Sequence, residues 1–192
     1  MTDAFDVVVV GSGAAGLTAA VTAAAQGLRV AVVEKDAVCG GATAWSGGWI
    51  WVPCNPRSRA DGIVEDPALA RTYLEHELGA RFDAARVDAL LAHGPAMVAF
   101  LESQDPVRFV SGSHIADIHG RTPGAGTGGR SVAAAPFDAR AMKPSLLAIL
   151  REPKAETALF GLGIMSGPDL YAFLNATRSW RHFAYVARRL AR

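Results

Sequence analysis

Gly11-Ser12-Gly13-Ala14-Ala15-Gly16, followed 18 residues later by Glu34, is the arrangement in this chain with the plainest chemical content. A G-x-G-x-x-G run means little alone, because glycine punctuates many loops; its meaning comes from a strand before it and a helix after it. Both are present. Phe5 to Val10 is a valine-rich run ending at Gly11, Leu17 to Gln26 is an alanine-rich helical stretch closed by Gly27, and Arg29 to Val33 is a second valine-rich run closed by Glu34-Lys35. The pattern predicts a βαβ unit with a glycine C-cap. In such a unit Gly11 permits the tight turn, Gly13 lets backbone N–H groups approach a pyrophosphate, and Gly16 lets the helix pack closely on the strand. The phosphates then lie at the positive end of that helix, against the turn that Ser12, Ala14 and Ala15 complete. Glu34, at the end of the second strand, is placed to accept both hydroxyls of an adenosine ribose, and its charge weighs against a 2′-phosphate and so against NADP. NAD and FAD both remain open at this point.

The next segment separates them. After Glu34-Lys35 come Cys39-Gly40-Gly41-Ala42-Thr43-Ala44-Trp45-Ser46-Gly47-Gly48 and then Trp49-Ile50-Trp51. With its E-K pair, G-G-x-[ST] turn and S-G-G segment behind a dinucleotide fingerprint, the chain resembles the flavoprotein family of fumarate reductases, succinate dehydrogenase flavoprotein subunits and 3-ketosteroid dehydrogenases. The resemblance implies FAD. It implies that Gly40, Gly41, Ala42 and Thr43 bring main-chain N–H groups and a hydroxyl to the diphosphate, and that Ser46 and Gly47 run beneath the flat isoalloxazine ring. An NAD-dependent dehydrogenase would fit the βαβ unit but leave Gly40 to Gly48 without a role. Trp45, Trp49 and Trp51 could stack on a flavin, line an apolar pocket or pack in a core.

Further along, Gly128-Gly129-Arg130-Ser131 followed by Val132-Ala133-Ala134-Ala135 looks more like the ketosteroid dehydrogenase branch than the fumarate reductase branch. The latter continues with histidine and threonine that hold a substrate carboxylate. The implied activity is oxidation of a C–C bond next to a carbonyl, with a small apolar carbonyl substrate such as a 3-ketosteroid. The alternatives are a dicarboxylate reductase and an inactive flavoprotein remnant. The ketosteroid branch carries an active-site tyrosine just before G-R-S, where this chain has Asp117-Ile118-His119; no tyrosine occurs between Tyr73 and Tyr171. No catalytic base is assigned.

These residues need elements to hold them. Pro53, Pro56, Arg57 and Arg59 read as an exposed connection. Asp66-Pro67 starts a helix with Leu69, Tyr73, Leu74 and Leu78 on one face, Asp83 caps a second with Val87, Leu90 and Leu91, and Pro95 opens a third with Met97, Val98 and Leu101. His76 and His93 lie in these helices with no metal-ligand spacing. Val110 to Asp138 reads as a long loop in which His114, Asp117 and His119 could do acid–base chemistry or be solvated. Asp169 to Arg192 reads as one helix, whose five arginines suit a solvated face or an anionic surface.

The expected fold class is α/β: a Rossmann-like βαβ start over residues 1–53, then a mainly helical and loop-rich continuation over 54–192, with a sheet left incomplete. Only two strands are convincing; Phe109-Val110 and Ser131 to Ala135 are weak candidates for more, whereas a doubly wound sheet needs about five or six. The reading is therefore the N-terminal portion of a longer protein, its remaining half lying in the same or a partner chain. Over 192 residues, 19 Lys plus Arg balance 18 Asp plus Glu, which provides no field to attract nucleic acid. Two cysteines without C-x-x-C spacing fit no disulfide framework or metal site, the N-terminus has no basic leader, and no uninterrupted apolar run reaches the roughly 18 residues of a membrane span. A cytoplasmic flavoprotein with no integral membrane segment is the expectation.

Overall fold

The computed structural model describes residues 4–105, 107–154, 158–159, 162–163 and 167–191. It divides into two compact units, Met1–Gly48 with Pro136–Arg192, and Trp49–Ala135.

In the first unit, β1 (Val7–Val10) pairs in parallel with β2 (Val30–Val33), Val7 opposite Val30, and α1 (Ala14–Ala25) connects them. This is the expected βαβ unit, with the helix starting three residues earlier than the apolar pattern suggested. Alanine, the best helix former, fills most of α1. The turn works for steric reasons. Gly11 sits at φ +95°, and a Cβ on Gly16 would lie 1.9 Å from the carbonyl oxygen of Gly11, so α1 crosses β1 with backbone against backbone.

The second unit contains the expected helical excursion and adds a small sheet to it. Trp49–Trp51 forms a strand, β3. A helix turn, α2 (Pro56–Ala60), leads to α3 (Pro67–Leu78) and α4 (Ala84–Ser103), followed by β4 (Phe109–Ser111) and β5 (Ser131–Ala134). The order is β3-β5-β4, antiparallel throughout, with Ile50 and Ser111 both opposite Val132. The two weak strand candidates are thus real strands but do not extend the parallel sheet. They pair with a tryptophan strand instead, burying Phe109, Val132 and Ala133.

Asp66 and Asp83 cap α3 and α4 as the sequence predicts. Pro95, however, opens no third helix: α4 runs straight through it for 20 residues. Proline removes one backbone hydrogen bond, but Val87, Gly94, Val98 and Leu101 all lie on one buried face, and that burial outweighs the local loss. A Cβ at Gly94 would come within 2.9 Å of Val52. By length and composition α4 could cross a membrane. Here it is the central helix of its unit, packed on α2 and α3, and Glu102 near its end accepts from Arg57 Nε at 2.7 Å and from the Phe109 N–H at 3.1 Å. The connection after β3, read as exposed, is mixed: Pro53 is buried, Pro56 and Arg57 are half-buried, and Arg59 is exposed. Asn55 caps α2 and donates to the carbonyls of Val52 and Gly129, both at 2.8 Å, so Val52 to Asn55 are buried.

The first unit continues with α5 (Pro144–Leu147), the short antiparallel pair β6 (Ala158–Leu159) and β7 (Leu162–Gly163), α6 (Gly167–Leu174) and α7 (Trp180–Leu190). The tail is therefore two helices. Asn175 to Ser179 carries polar side chains that compete for backbone hydrogen bonds and makes a turn. The fold-back is then locked by Asp169, wholly buried, which accepts from Tyr185 Oη at 2.6 Å and from Arg189 Nη2 at 2.9 Å.

Candidate functional site

The C-terminal ends of β1 and β2 and the start of α1 meet at Ser12, which is buried. Its backbone N–H and its hydroxyl both donate to Glu34 Oε2, at 2.9 and 2.6 Å, and the N–H of Gly40 donates to its hydroxyl oxygen at 2.9 Å. Glu34 Oε1 accepts from the Asp36 N–H at 3.1 Å. These bonds, the Ser12 hydroxyl first, favour the ionised form and hold the Glu34 carboxyl at about 2, well below its ordinary 4.5. A carboxylate offers about four acceptor positions, of which three are occupied within the protein, so Glu34 braces the glycine turn and keeps about one acceptor position for a further donor. Ser12 was legible as a member of the turn; its place as the junction of three segments was not.

The N-terminus of α1 carries no capping side chain of its own and no acid in its first turn. Its first N–H, from Ala14, donates to Thr43 Oγ1 at 3.0 Å. A Cβ on Gly13 would meet that same hydroxyl at 3.5 Å, and one on Gly41 would lie 3.4 Å from Gly13 Cα. The two glycine motifs, remote in sequence, therefore form one surface. Ala14, Ala15, Ala42 and Thr43 are exposed on it, and Lys35 is exposed beside Glu34. The chemistry suits a diphosphate. Free N–H groups at a helix start, a hydroxyl beside them and small residues all round can accept an anion at close range. Ser46 turns the chain after the 3₁₀ turn Gly41–Trp45, donating to the Thr43 carbonyl at 2.8 Å and accepting from the Gly48 N–H at 3.2 Å, with Gly47 between.

One contributor to this edge had no signal in the sequence. Cys39 and Arg151 bond through their backbones across 112 residues, and Arg151 pairs with Asp36 while lying over the Trp45 ring, 4.7 Å from its centroid. The Arg151 guanidinium draws the Asp36 carboxyl below its ordinary range. Trp45 is half exposed and its indole N–H reaches the Glu152 carbonyl at 3.2 Å, so it is not a core residue.

In the second unit the candidates of the long loop separate. Asp117 is buried, not solvated. It accepts from Arg130 Nη1 at 2.6 Å, from Trp51 Nε1 at 2.8 Å and from the Gly126 N–H at 2.8 Å. Arg130, with 2% of its side chain exposed, also pairs with Glu65 and lies 5.8 Å from the ring centroids of both Trp51 and Tyr73. All the charges in this cluster are paired, which marks it as the frame of the loop. His114 makes no such contact, whereas His119 donates from Nδ1 to Glu77 Oε2 at 2.5 Å. Among the described residues, no three His, Cys, Asp or Glu side chains group together to hold a metal.

The family model described as the FAD binding domain matches residues 6–189. The chain is similar to the 3-oxosteroid 1-dehydrogenase of Mycolicibacterium smegmatis, 44% identical over 142 residues, covering 74% of this chain and 25% of that protein. It is 38% identical over 191 residues to the 4-oxocyclohex-2-ene-1-carboxylate 5-dehydrogenase of Sinomonas cyclohexanicum, covering 100% of this chain and 32% of that protein. Among solved structures it resembles the 3-ketosteroid delta1-dehydrogenase of Sterolibacterium denitrificans, determined in complex with 1,4-androstadiene-3,17-dione, with a TM-score of 0.80 and 31% identity over 94% of this chain and 32% of that one. The chain thus spans a quarter to a third of the length of these relatives.

Proposed function

The chain belongs to the FAD binding domain family, and on that premise we propose that it holds the adenosine diphosphate half of FAD in a dehydrogenase that oxidises a C–C bond next to a ketone. The observation that carries this reading is the joined surface of the two glycine motifs at the start of α1. Gly11, Ser12, Gly13, Ala14, Ala15 and Gly16 form its turn, and Gly40, Gly41, Ala42 and Thr43 close over it. The N–H groups of α1 and the Thr43 hydroxyl bind the diphosphate, and Glu34 offers its remaining acceptor position to the ribose with Lys35 alongside. Ser46 and Gly47 keep the chain low where the flavin ring lies. FAD, when bound, supplies the hydride acceptor, leaving the protein to orient the partners and exclude water. On this reading the work is cytoplasmic.

A 3-ketosteroid is the substrate class supported by the Mycolicibacterium and Sterolibacterium relatives. A compact ring ketone bearing a carboxylate is the second reading, favoured by the Sinomonas relative, whose similarity extends over the whole chain. Titration of the purified protein with FAD, followed by flavin fluorescence, tests the cofactor reading: saturable binding is expected, and binding of NAD in its place would overturn it. Dye-coupled oxidation of a 3-ketosteroid, of a ring keto acid, and fumarate reduction by a reduced dye then sort the substrate. Fumarate reduction alone would overturn both ketone readings.

A further inference from the structure

The loop between β4 and β5 and His76 near the end of α3 border a wide, shallow cleft of about 720 Å³, wholly within the second unit and lined by His76, Ile118, His119, Gly120, Arg121, Thr122 and Pro123. None of these lining residues is acidic. The neighbouring acid, Glu77, has both oxygens engaged: Thr122 Oγ1 donates to one and His119 Nδ1 to the other, each at 2.5 Å. Its carboxyl is held below the ordinary range, first by the Thr122 hydroxyl and then by His119. His119 is thereby fixed through Nδ1, while 64% of its side chain stays exposed and its Nε2 is left free. His76 repeats the arrangement, donating from Nδ1 to the Thr72 carbonyl at 2.9 Å with Nε2 left over. Arg121 is exposed and has no carboxylate partner among the described residues. Two tethered imidazoles and an unpaired guanidinium thus share one cleft with Ile118, which is 93% exposed, and Pro123.

We propose that this cleft binds a small organic carboxylate. Arg121 grips the acid as a two-pronged donor, Nε2 of His76 and of His119 donate to it when protonated, and Ile118 and Pro123 cover an apolar body. An uncharged apolar ligand would leave three polar side chains in the cleft unmatched, and a bare inorganic anion would leave Ile118 and Pro123 without a partner. The inference goes beyond FAD binding and does not depend on it, since every residue it uses lies outside the glycine motifs.

The test is calorimetric titration of the whole protein with cyclohexanecarboxylate, cyclohexanone and inorganic phosphate as separate probes. Saturable binding of cyclohexanecarboxylate alone is expected, weakened about tenfold or more in Arg121→Gln, with the circular dichroism spectrum and FAD affinity of the variant unchanged. The Nε2 resonances of His76 and His119 should shift on saturation. Absence of saturable binding, equal binding by Arg121→Gln, or equal binding of cyclohexanone overturns the proposal. Phosphate binding of equal strength and equal Arg121 dependence overturns the organic-acid assignment. Loss of FAD binding in the wild-type protein would instead count against the cofactor reading and leave the cleft untouched.

Discussion

At the scale of single residues, the surface at the start of α1 depends on contacts that admit little change. A Gly16→Ala substitution places a carbon 1.9 Å from the Gly11 carbonyl oxygen and must push α1 off β1. Urea denaturation should show a loss of about 1–3 kcal/mol, accompanied by loss of FAD binding. Glu34 makes a second prediction. Its folded-state pKa is lowered, so its contribution to stability is complete above the unfolded value of 4.5 and is lost as the pH falls toward about 2. The carboxyl carbon resonance of Glu34 should therefore titrate near 2, and Ser12→Ala, by removing the main bond that favours the charge, should raise the midpoint. A midpoint near 4.5 in the unmodified protein would mean that Ser12 and Glu34 are not joined in solution. Glu34→Ala should weaken FAD binding about tenfold or more in a fluorescence titration, because it removes both an acceptor and the brace of the glycine turn.

At the scale of elements, two features oppose local propensity and are held by packing. Pro95 lies inside α4, where it forfeits one helical hydrogen bond. Pro95→Ala restores the donor without changing the buried face, and should stabilise the protein by about 1–3 kcal/mol in denaturant unfolding. An unchanged midpoint would show that the helix has already adapted fully. The α6–α7 hairpin rests on Asp169. Burial, followed by the neighbouring Asp169 carboxylate, pushes the Tyr185 hydroxyl up to about 12, so its contribution is present below 10 and fades as the pH approaches 12. With three tyrosines in the chain, spectroscopic titration of tyrosinate should lose its highest phase in Tyr185→Phe. In the second unit the Arg130 cluster plays the matching part. Arg130→Met strands Asp117 and Glu65 without their cation, for an expected loss of about 3–5 kcal/mol.

At the scale of the whole molecule, the two units carry different chemistry: the first the glycine motifs, the second a paired ionic frame and an open cationic cleft. The parallel pair of the first unit is narrow. Val10 is 82% exposed, and Val8, Val32 and Val33 are also exposed. Apolar strand surface of this kind binds hydrophobic dyes and other strands. The protein should therefore enhance the fluorescence of such a dye, and Val10→Ser should reduce the enhancement; no change would place the dye elsewhere.

What the sequence by itself determined is what local spacing encodes. The glycine turn and the caps at Asp66 and Asp83 follow from residues within one or two turns of one another, the βαβ unit and the acidic residue after β2 from consecutive segments of about 30 residues, and the resemblance carried by the G-G-x-T segment implied FAD. Tertiary structure decided everything that depends on distant partners. Whether Pro95 ends a helix depends on the burial of Val87, Val98 and Leu101. Whether Phe109 and Val132 extend the parallel sheet or join Trp49–Trp51 depends on which strand edge is free to pair. Asp117 is acidic in any reading, but only Arg130 and Trp51, folded against it, make it part of a buried frame. The same is true of Arg151 beside Asp36, 115 residues away, because an ion pair depends on proximity in space and leaves no periodic mark in the chain.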